Sequence, residues 1–347
     1  MATGASTTVY PLADPDLLIV GGGPAGAATA IAAAQLGLSV VLIERQVEPR
    51  EKPGEALHPG MEPLLNELGL DSDDLEAVTG ARFEGVWSAW GTAARFEPFG
   101  SDDKGPWHGF QVRRAAFDEL LLARAQAAGA DIRRGAAAGS PRMSNGRVIG
   151  AGDLRAAWTI DASGPARWLG RRLDLGVVAR SPVLLARYGY VTGRCPDRDE
   201  APLIEGGSEG WTWIARIDRD LYQWVRLDFD GRVRARDWRP APLQGLAERR
   251  PTQGAEVAWR RAVRAAGPGW LMVGDAAASL DPASSHGILK AVMSGVMAAQ
   301  TASAVLRQGA PETAAMDAYH RWLAGWFDAD AERLGAAYRA LGARGFD

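Results

Sequence analysis

Two glycine-rich stretches, one near each end of the chain, hold the residues whose types and spacing could bind a charged ligand. The first, "GGGPAG" at residues 21–26, fits the pattern G-x-G-x-x-G. In this pattern Gly21 makes a tight turn, Gly23 lets the backbone approach a pyrophosphate, and Gly26 lets a helix pack closely on a strand. Glu44 follows eighteen residues after Gly26, where a carboxylate accepts the hydrogen bonds of an adenosine ribose. The sequence therefore predicts a dinucleotide-binding loop that includes Pro24 and Ala25. Arg45, next to Glu44, is a further predicted contact of the bound dinucleotide.

The second stretch, "GDAAASLDPASSHGILKAVMSG" at residues 274–295, predicts a capped helix that faces a ligand. We expect the helix to begin at Ser284 or Ser285, since serine is a good N-cap. Apolar residues follow the serines at close to helical spacing. The positive end of such a helix stabilises negative charge, and the small residues around it indicate that something docks there.

Short apolar strands must position both stretches. Leu17–Val20 runs straight into the glycine loop, an alanine-rich helix extends to about Gly37, and Val40–Ile43 is the next strand. Trp158–Asp161 and the strand that ends at Asp275 repeat the design, because each is an apolar run followed by an acid and a close turn. Strand–helix–strand units of this kind predict an α/β protein with a doubly wound sheet.

Composition limits the class of protein. The 347 residues are 47% hydrophobic and 23% charged, a balance typical of a globular chain with a sizeable core. A net charge of −3 argues against nucleic acid as a partner, and the single Cys195 argues against a disulfide framework or a cysteine-rich metal site. The first sixteen residues lack signal-peptide features, and glycines interrupt the apolar run at 17–43, so we predict a cytoplasmic protein without a membrane segment.

Four segments together resemble one known fold. They are residues 17–45, "VRRAAFDELLLARA" at 112–125, "DASGPARWLGR" at 161–171, and residues 274–295. This set looks like the FAD-binding fold of aromatic hydroxylases and their relatives, which include flavin-dependent tryptophan halogenases and geranylgeranyl reductases. The resemblance covers most of the chain and implies a Rossmann-like FAD domain of the aromatic hydroxylase type.

The resemblance also implies roles for individual residues. Asp275 would hold the ribityl chain of FAD, and Arg114 would reach the linker region of the cofactor. The helix after Asp275 would direct its positive end at the pyrimidine edge of the isoalloxazine, with Pro282 and Gly287 keeping the backbone close to the ring. The remaining predicted cofactor contacts are Asp161, Gly274 and Ile288.

A third motif points to the reactive side of the flavin. "GEALHP" at residues 54–59 resembles the G-E-x-x-P turn of the halogenase-like branch, which lies over the flavin. This implies that Glu55 and His58 lie near the reactive centre. His286, one residue before Gly287, would border the flavin and take part in proton transfer. Glu55, His58 and His286 are the predicted catalytic residues.

The middle of the chain predicts an inserted antiparallel sheet. Residues 209–231 read as a hairpin of two alternating strands around 218–220, with Trp211 and Trp213 on one face. In the resembled fold such a sheet roofs the substrate pocket, so both tryptophans are predicted to contact a flat aromatic substrate. The predicted domains are an FAD-binding domain (1–80, 110–180 and 255–310), the sheet domain (81–109 and 181–254) and a C-terminal helical tail (311–347).

The resemblance leaves three activities open. Halogenases carry W-x-W-x-I-P and a lysine after the G-E turn, whereas this chain has "WTWIAR" at 211–216 and no lysine in "TGARFEGVWSAWG". The motifs look closer to flavoprotein maturases that hydroxylate a peptidyl tryptophan during tryptophylquinone biogenesis. We therefore predict an FAD-dependent monooxygenase that acts through a flavin C4a-hydroperoxide. The alternatives are a tryptophan halogenase-like enzyme and a carbon–carbon double-bond reductase like the geranylgeranyl reductases.

The predicted chemistry defines the predicted partners. FAD is the cofactor, NAD(P)H or a separate flavin reductase is the electron donor, and O2 is the co-substrate. The substrate is an aromatic small molecule or a tryptophan of a partner protein. No resident metal is expected.

Overall fold

The computed structural model describes residues 14–231, 235 and 237–346. The first thirteen residues, on which most of the signal-peptide prediction rests, lie outside this range. The helices are α1 (Pro24–Gln35), α2 (Met61–Glu67), α3 (Ser72–Glu76), α4 (Arg114–Ala127), α5 (Trp168–Arg172), α6 (Gly287–Gln308) and α7 (Glu312–Ala340). Short 3-10 turns cover Gly164–Ala166, Pro196–Arg198, Ala241–Leu243, Gly274–Ala276 and Pro282–Ser284.

The strands are short and numerous. In chain order they are β1 (Leu17–Val20), β2 (Val40–Glu44), β3 (Ala56–Leu57), β4 (Thr79–Phe83), β5 (Gly85–Trp90), β6 (Arg95–Pro98), β7 (Ser101–Asp102), β8 (Gly105–Pro106), β9 (Gly109–Val112), β10 (Asp131–Arg134), β11 (Pro141–Ser144), β12 (Arg147–Ala151), β13 (Leu154–Arg155), β14 (Trp158–Asp161), β15 (Val177–Ala179), β16 (Leu185–Thr192), β17 (Leu203–Gly207), β18 (Gly210–Asp218), β19 (Leu221–Asp228), β20 (Ala247–Glu256), β21 (Arg260–Ala262), β22 (Ala266–Gly267), β23 (Trp270–Met272) and β24 (Ala278–Ser279).

A six-stranded sheet carries the cofactor-type motifs. Its order is β10-β2-β1-β14-β23-β22, parallel apart from the β22–β23 pair. The predicted strand–helix–strand unit is confirmed as β1, α1 and β2. All four residues of β1 are buried, as expected for a parallel strand covered on both faces. The carboxyl ends of β1, β14 and β23 therefore lie side by side, and ligands of open α/β sheets bind at this edge.

A seven-stranded sheet lies beyond it in the order β20-β16-β19-β18-β17-β5-β6. The predicted hairpin is confirmed as β18 and β19, which pair antiparallel. All pairs in this sheet are antiparallel except β5 with β17, which run parallel. Smaller sheets are β3-β9-β4, β11-β12-β13, β15-β21-β24 and β7-β8.

The two long C-terminal helices close the structure. A Cβ on Gly295 of α6 would lie 2.4 Å from the Ala25 carbonyl oxygen of α1, so these helices pack backbone to backbone. On α7, the Tyr319 hydroxyl donates to the Met272 carbonyl oxygen at 2.6 Å, and the Tyr338 hydroxyl donates to Asp281 Oδ2 at 2.7 Å. One continuous hydrophobic core extends from β1 into the seven-stranded sheet.

Among the described residues, α6 is the one helix long and apolar enough to cross a membrane, and half of its most apolar window is buried inside the protein. Core helices of globular proteins meet the same criterion. No group of three or more His, Cys, Asp or Glu side chains in the described part of the chain is arranged to hold a metal ion.

Candidate active site

The glycine loop between β1 and α1 is tightly packed at two glycines and has free space beside a third. A Cβ on Gly21, whose φ is 110°, would lie 2.4 Å from the Ala162 carbonyl oxygen. A Cβ on Gly26 would lie 1.9 Å from the Gly21 carbonyl oxygen. A Cβ on Gly23, the N-cap of α1, would meet no atom within 4 Å. The loop thus packs tightly on β14's turn while leaving space beside a helix N-terminus, where phosphate charge is stabilised. Pro24 and Ala25 form the buried first turn of α1.

Glu44 ends β2 beside this loop. Its Oε2 accepts a hydrogen bond from the Gly22 backbone N–H at 2.7 Å, and its Oε1 accepts one from Gln46 N–H at 2.8 Å. The carboxylate is therefore held at the loop, whereas Arg45 is exposed. The roles of both residues toward a ribose stay predictions.

The Asp161 carboxylate is hydrogen-bonded to the turn that follows it in the chain. Oδ1 accepts from the Ser163 N–H at 3.0 Å and the Ser163 hydroxyl at 2.6 Å, and Oδ2 accepts from the Leu169 N–H at 2.8 Å. These partners hold the turn that approaches Gly21. We therefore expect Asp161 to affect a cofactor through this turn rather than through its carboxylate.

Gly274 and Asp275 bring the third strand end to the same place. Gly274 has a φ of 55°, and its N–H donates to Ser294 Oγ of α6 at 2.9 Å. A Cβ there would lie 2.9 Å from the Ala25 Cβ, so β23's turn touches the glycine loop. The Asp275 side chain is accessible within a recess, where its dense surroundings raise the pKa and the Arg114 charge opposes that rise. The recess is also lined by Ala278, Leu280, His286, Lys290, Trp326 and Asp330.

The predicted start of α6 was wrong. The helix begins at Gly287 with His286 as its N-cap residue, and no side chain caps it. Residues 282–284 form a 3-10 turn instead, capped by Asp281, whose Oδ1 accepts from the Ala283 N–H at 2.9 Å. Ser285 has a φ of 57°, a left-handed conformation that takes it out of the helix. The exposed Pro282 and Gly287 flank this turn, and a Cβ on Gly287 would meet no atom within 4 Å.

The loop at residues 54–58 lies against the start of α6. A Cβ on Gly54 would lie 2.6 Å from Arg114 Nη1 and 3.7 Å from Ile288 Cδ1. The rings of His58 and His286 lie 5.5 Å apart between centroids. Burial lowers the pKa of His58, and burial together with the neighbouring His58 lowers that of His286, so both imidazoles are neutral at pH 7. The structure thus brings the predicted catalytic histidines together.

Arg114 holds the chain segment before Glu55 in place. It is almost fully buried, donates from Nη1 to the Pro53 carbonyl oxygen at 2.7 Å, and pairs with Asp118 at 3.1 Å. Lys52 reaches the same Asp118 carboxylate at 2.6 Å. The guanidinium therefore fixes the chain just before Glu55.

Glu55 is buried at 2% exposure, and the Tyr190 hydroxyl of β16 donates to its Oε1. Burial raises the pKa of Glu55 from 4.5 to about 7, while the Tyr190 hydrogen bond and the Arg114 charge oppose the rise. A carboxyl with this pKa can give or take a proton at neutral pH. The sequence analysis missed Tyr190, because 135 residues separate it from Glu55 and no local motif marks it.

The two predicted substrate tryptophans differ in their surroundings. Trp211 is fully buried in the main core, whereas Trp213 is half-buried at its edge. Packing in the hydrophobic core explains the observed position of the Trp211 side chain. A substrate contact for Trp213 stays a prediction.

The residues present fit a bound FAD. The open space beside Gly23 suits a pyrophosphate, the fixed Glu44 carboxylate suits a ribose, and the accessible Asp275 lies between the glycine loop and α6. The fold and this site together define an α/β protein of the dinucleotide-binding type.

Comparisons with known proteins agree with that class. Residues 16–54 match the family model described as FAD dependent oxidoreductase. The tryptophan 2-halogenase of Chondromyces crocatus is 27% identical over 90% of this chain, and the chain spans 65% of that protein's length. The digeranylgeranylglycerophospholipid reductase of Methanoculleus marisnigri is 31% identical, with 85% of this chain and 78% of the reductase covered. The flavin-dependent brominase Bmp2 has the same fold, with a TM-score of 0.79 over 96% of this chain and 94% of its own, at 22% identity.

The chain belongs to the FAD-dependent oxidoreductases, in the family that also contains these reductases and flavin-dependent halogenases. It is therefore an FAD-dependent enzyme.

Proposed function

We propose that this chain is an FAD-dependent monooxygenase that hydroxylates an electron-rich aromatic ring, an indole or tryptophan that is free or carried by a partner protein. One atom of O2 enters the ring and the other leaves as water, with two electrons supplied by NAD(P)H or a separate flavin reductase. Because formation of the water consumes a proton beyond the hydride that NAD(P)H supplies, the conversion needs a proton source in a buried site. The observation that supports a proton-consuming reaction is the buried Glu55 carboxyl, in the loop whose neighbouring Gly54 lies against Ile288 of α6.

The flavin, when bound, supplies the electron-transfer and oxygen chemistry. The protein's own groups would bind and orient it: the N–H groups around Gly23 take the pyrophosphate, Glu44 the ribose and Asp275 the ribityl chain. The N-terminus of α6 would stabilise negative charge on the ring. The neutral His58 and His286 would border the reactive side, and Trp213 would contact the aromatic substrate.

The sequence departs from the halogenase pattern at two places, which favours hydroxylation. The resemblance to halogenases implies a lysine after the G-E turn, and residues 53–103 contain none. The W-x-W pair continues as Ile214-Ala215-Arg216, without the proline of the halogenase motif. The resemblance to the tryptophan-hydroxylating maturases supports a protein-borne tryptophan, and the single free Cys195 suits the cytoplasm that we propose for the protein.

Labelled oxygen tests this proposal. FAD-loaded protein, supplied with NADH, NADPH or a flavin reductase, is incubated with indole, free tryptophan and tryptophan-containing peptides under ¹⁸O2. We expect a product heavier by one ¹⁸O atom, analysed by mass spectrometry. The same reaction with bromide measures ring bromination, and an anaerobic reaction with an unsaturated isoprenoid measures double-bond reduction.

Each arm has a distinct outcome. An ¹⁸O-labelled ring, formed equally with and without bromide, supports the hydroxylase. A brominated product moves the assignment to a halogenase, and oxygen-independent isoprenoid reduction moves it to a reductase. Loss of the product in the Glu55→Gln variant, with FAD binding retained, would tie the activity to the carboxyl on which the proposal depends.

A further inference from the structure

One hydrogen bond joins the loop beside α6 to the seven-stranded sheet. We propose that Tyr190 is a positioning residue for Glu55: from β16 its hydroxyl holds the Glu55 carboxyl in the orientation in which this carboxyl exchanges a proton with the bound reactants. The inference rests on the proposed function only for the identity of the group that exchanges a proton with Glu55. The hydrogen bond between Tyr190 and Glu55 forms within the protein chain alone.

The backbone of Glu55 is fixed independently of its side chain. The Val112 N–H donates to the Glu55 carbonyl oxygen at 2.9 Å, and β3, which follows at Ala56, pairs with β9. Gly54 has a φ of 104°, and a Cβ there would lie 3.7 Å from Ile288 Cδ1 of α6. The orientation of the carboxyl is therefore set by what its oxygens meet. The Tyr190 hydroxyl meets Oε1, and the backbone of Glu55 and Gly54 also hydrogen-bonds the carboxyl.

Tyr190 is itself held in place on the sheet. The guanidinium carbon of Arg250, on β20, lies 4.0 Å from the centroid of the Tyr190 ring, within the range of a cation–π contact. The Tyr188 ring packs edge-on at 6.3 Å, and the Tyr188 hydroxyl donates to Gln253 Oε1 at 2.6 Å rather than to Glu55. On the other side of Glu55 lies the charge of Arg114.

These surroundings decide which proton moves. Burial raises the pKa of Tyr190 far above the neutral range, so Tyr190 stays a phenol and donates throughout. The mobile proton is therefore that of Glu55. Because the Tyr190 hydroxyl stabilises the charged carboxylate, it keeps the pKa of Glu55 lower than burial alone would set it.

Two matched variants separate this role from packing. Tyr190→Phe removes the hydroxyl and keeps the ring under Arg250, whereas Tyr188→Phe removes the neighbouring hydroxyl, which does not reach Glu55. In FAD-free protein labelled with ¹³C-carboxyl glutamate, the Glu55 resonance is identified by its loss in Glu55→Gln and titrated by NMR. We expect Tyr190→Phe to raise the pKa of Glu55 by about one pH unit, since a hydrogen bond to a charged group of about 1.5 kcal/mol is lost. Tyr188→Phe should leave it unchanged.

A second measurement uses the FAD-loaded protein without any substrate. The flavin is reduced chemically under anaerobic conditions and mixed with oxygenated buffer between pH 5 and 9, and the rate of return to the oxidised spectrum is recorded. We expect a pH midpoint that rises in Tyr190→Phe by the same amount as in the titration. The midpoint should stay in place in Tyr188→Phe and disappear in Glu55→Gln.

The outcomes are separable from those of the proposed function. A Tyr190→Phe variant that folds and binds FAD but keeps both midpoints would overturn the inference. If that variant does not fold, a Glu55→Gln variant with an unchanged reoxidation profile overturns it instead. Absence of ¹⁸O in any aromatic product would overturn the hydroxylase while leaving the FAD-free titration intact.

Discussion

Replacement of Glu55 by glutamine should make the protein's stability less dependent on pH. The substitution keeps an oxygen that accepts the Tyr190 hydrogen bond and removes the titration. In the folded wild type, burial raises the pKa of Glu55 from 4.5 to about 7. The folded state therefore keeps its proton at pH values where the unfolded chain has lost it.

The sign and size of the effect follow from proton linkage. The favourable contribution of Glu55 is fully present below pH 4.5 and is lost as the pH rises through about 7, because the charged carboxylate must then be buried. At about 1.4 kcal/mol for each pH unit between the two pKa values, the free energy of unfolding falls by about 3.5 kcal/mol in total. The Glu55→Gln variant lacks this fall, so it should gain on the wild type by about 2.5 kcal/mol between pH 5 and 8.

Urea unfolding of FAD-free protein at pH 5, 6, 7 and 8 measures this difference. Subtracting the wild-type free energy of unfolding from that of the variant cancels the contributions of groups that titrate in both proteins. Asp281, whose pKa is raised by burial to about 6, is one of these groups. Glu67→Gln, which removes an exposed carboxyl from α2, controls for the loss of one negative charge. Parallel curves for wild type and Glu55→Gln across this range would refute the assignment of a neutral carboxyl to Glu55.

Three further predictions concern the glycine loop and the buried Asp281. Gly23→Ala should leave the stability of the FAD-free protein within about 0.5 kcal/mol but weaken FAD binding measured by fluorescence titration, because its Cβ enters open space. Gly26→Ala should destabilise the FAD-free protein itself in thermal unfolding, because its Cβ would lie 1.9 Å from the Gly21 carbonyl oxygen; equal stability of the two variants would contradict the loop geometry. Asp281→Ala should lower the free energy of unfolding, measured in urea, by about 3 kcal/mol. The substitution leaves the buried Trp259 Nε1–H and Tyr338 hydroxyl without their hydrogen-bond acceptor. A loss below about 1 kcal/mol would show that water replaces the carboxylate.

Residues whose contacts are local were predictable from the sequence. The Gly21 turn, the helix after it and Glu44 lie within one strand–helix–strand unit, where spacing alone determines which groups meet. The β18–β19 hairpin was predictable because alternation and a short polar turn fix its register.

Features set by tertiary packing were not predictable in this way. Ser285 has the chemistry of an N-cap, yet its left-handed backbone ends the 3-10 turn and moves the start of α6 to Gly287. The parallel pairing of β5 with β17 depends on how distant segments meet at one sheet. The Tyr190 hydroxyl reaches Glu55 for the same reason, and alternation in β16 shows only that Tyr188 and Tyr190 share a face.

The buried carboxyl constrains the chemistry without selecting one reaction. Hydroxylation consumes protons when the second oxygen atom leaves as water, and reduction of a carbon–carbon double bond consumes a proton at carbon, so the proposed role of Glu55 would serve either reaction equally well. The glycine loops and α6, which we propose bind the flavin, follow motifs of the family as a whole and do not distinguish its members either. Selection must then come from the groups that the seven-stranded sheet presents, with Tyr190 and Trp213 among them. A wild-type Glu55 titration combined with strictly oxygen-dependent, ¹⁸O-labelled product would assign the proton to water formation, whereas the same titration with anaerobic turnover would assign it to a carbon centre.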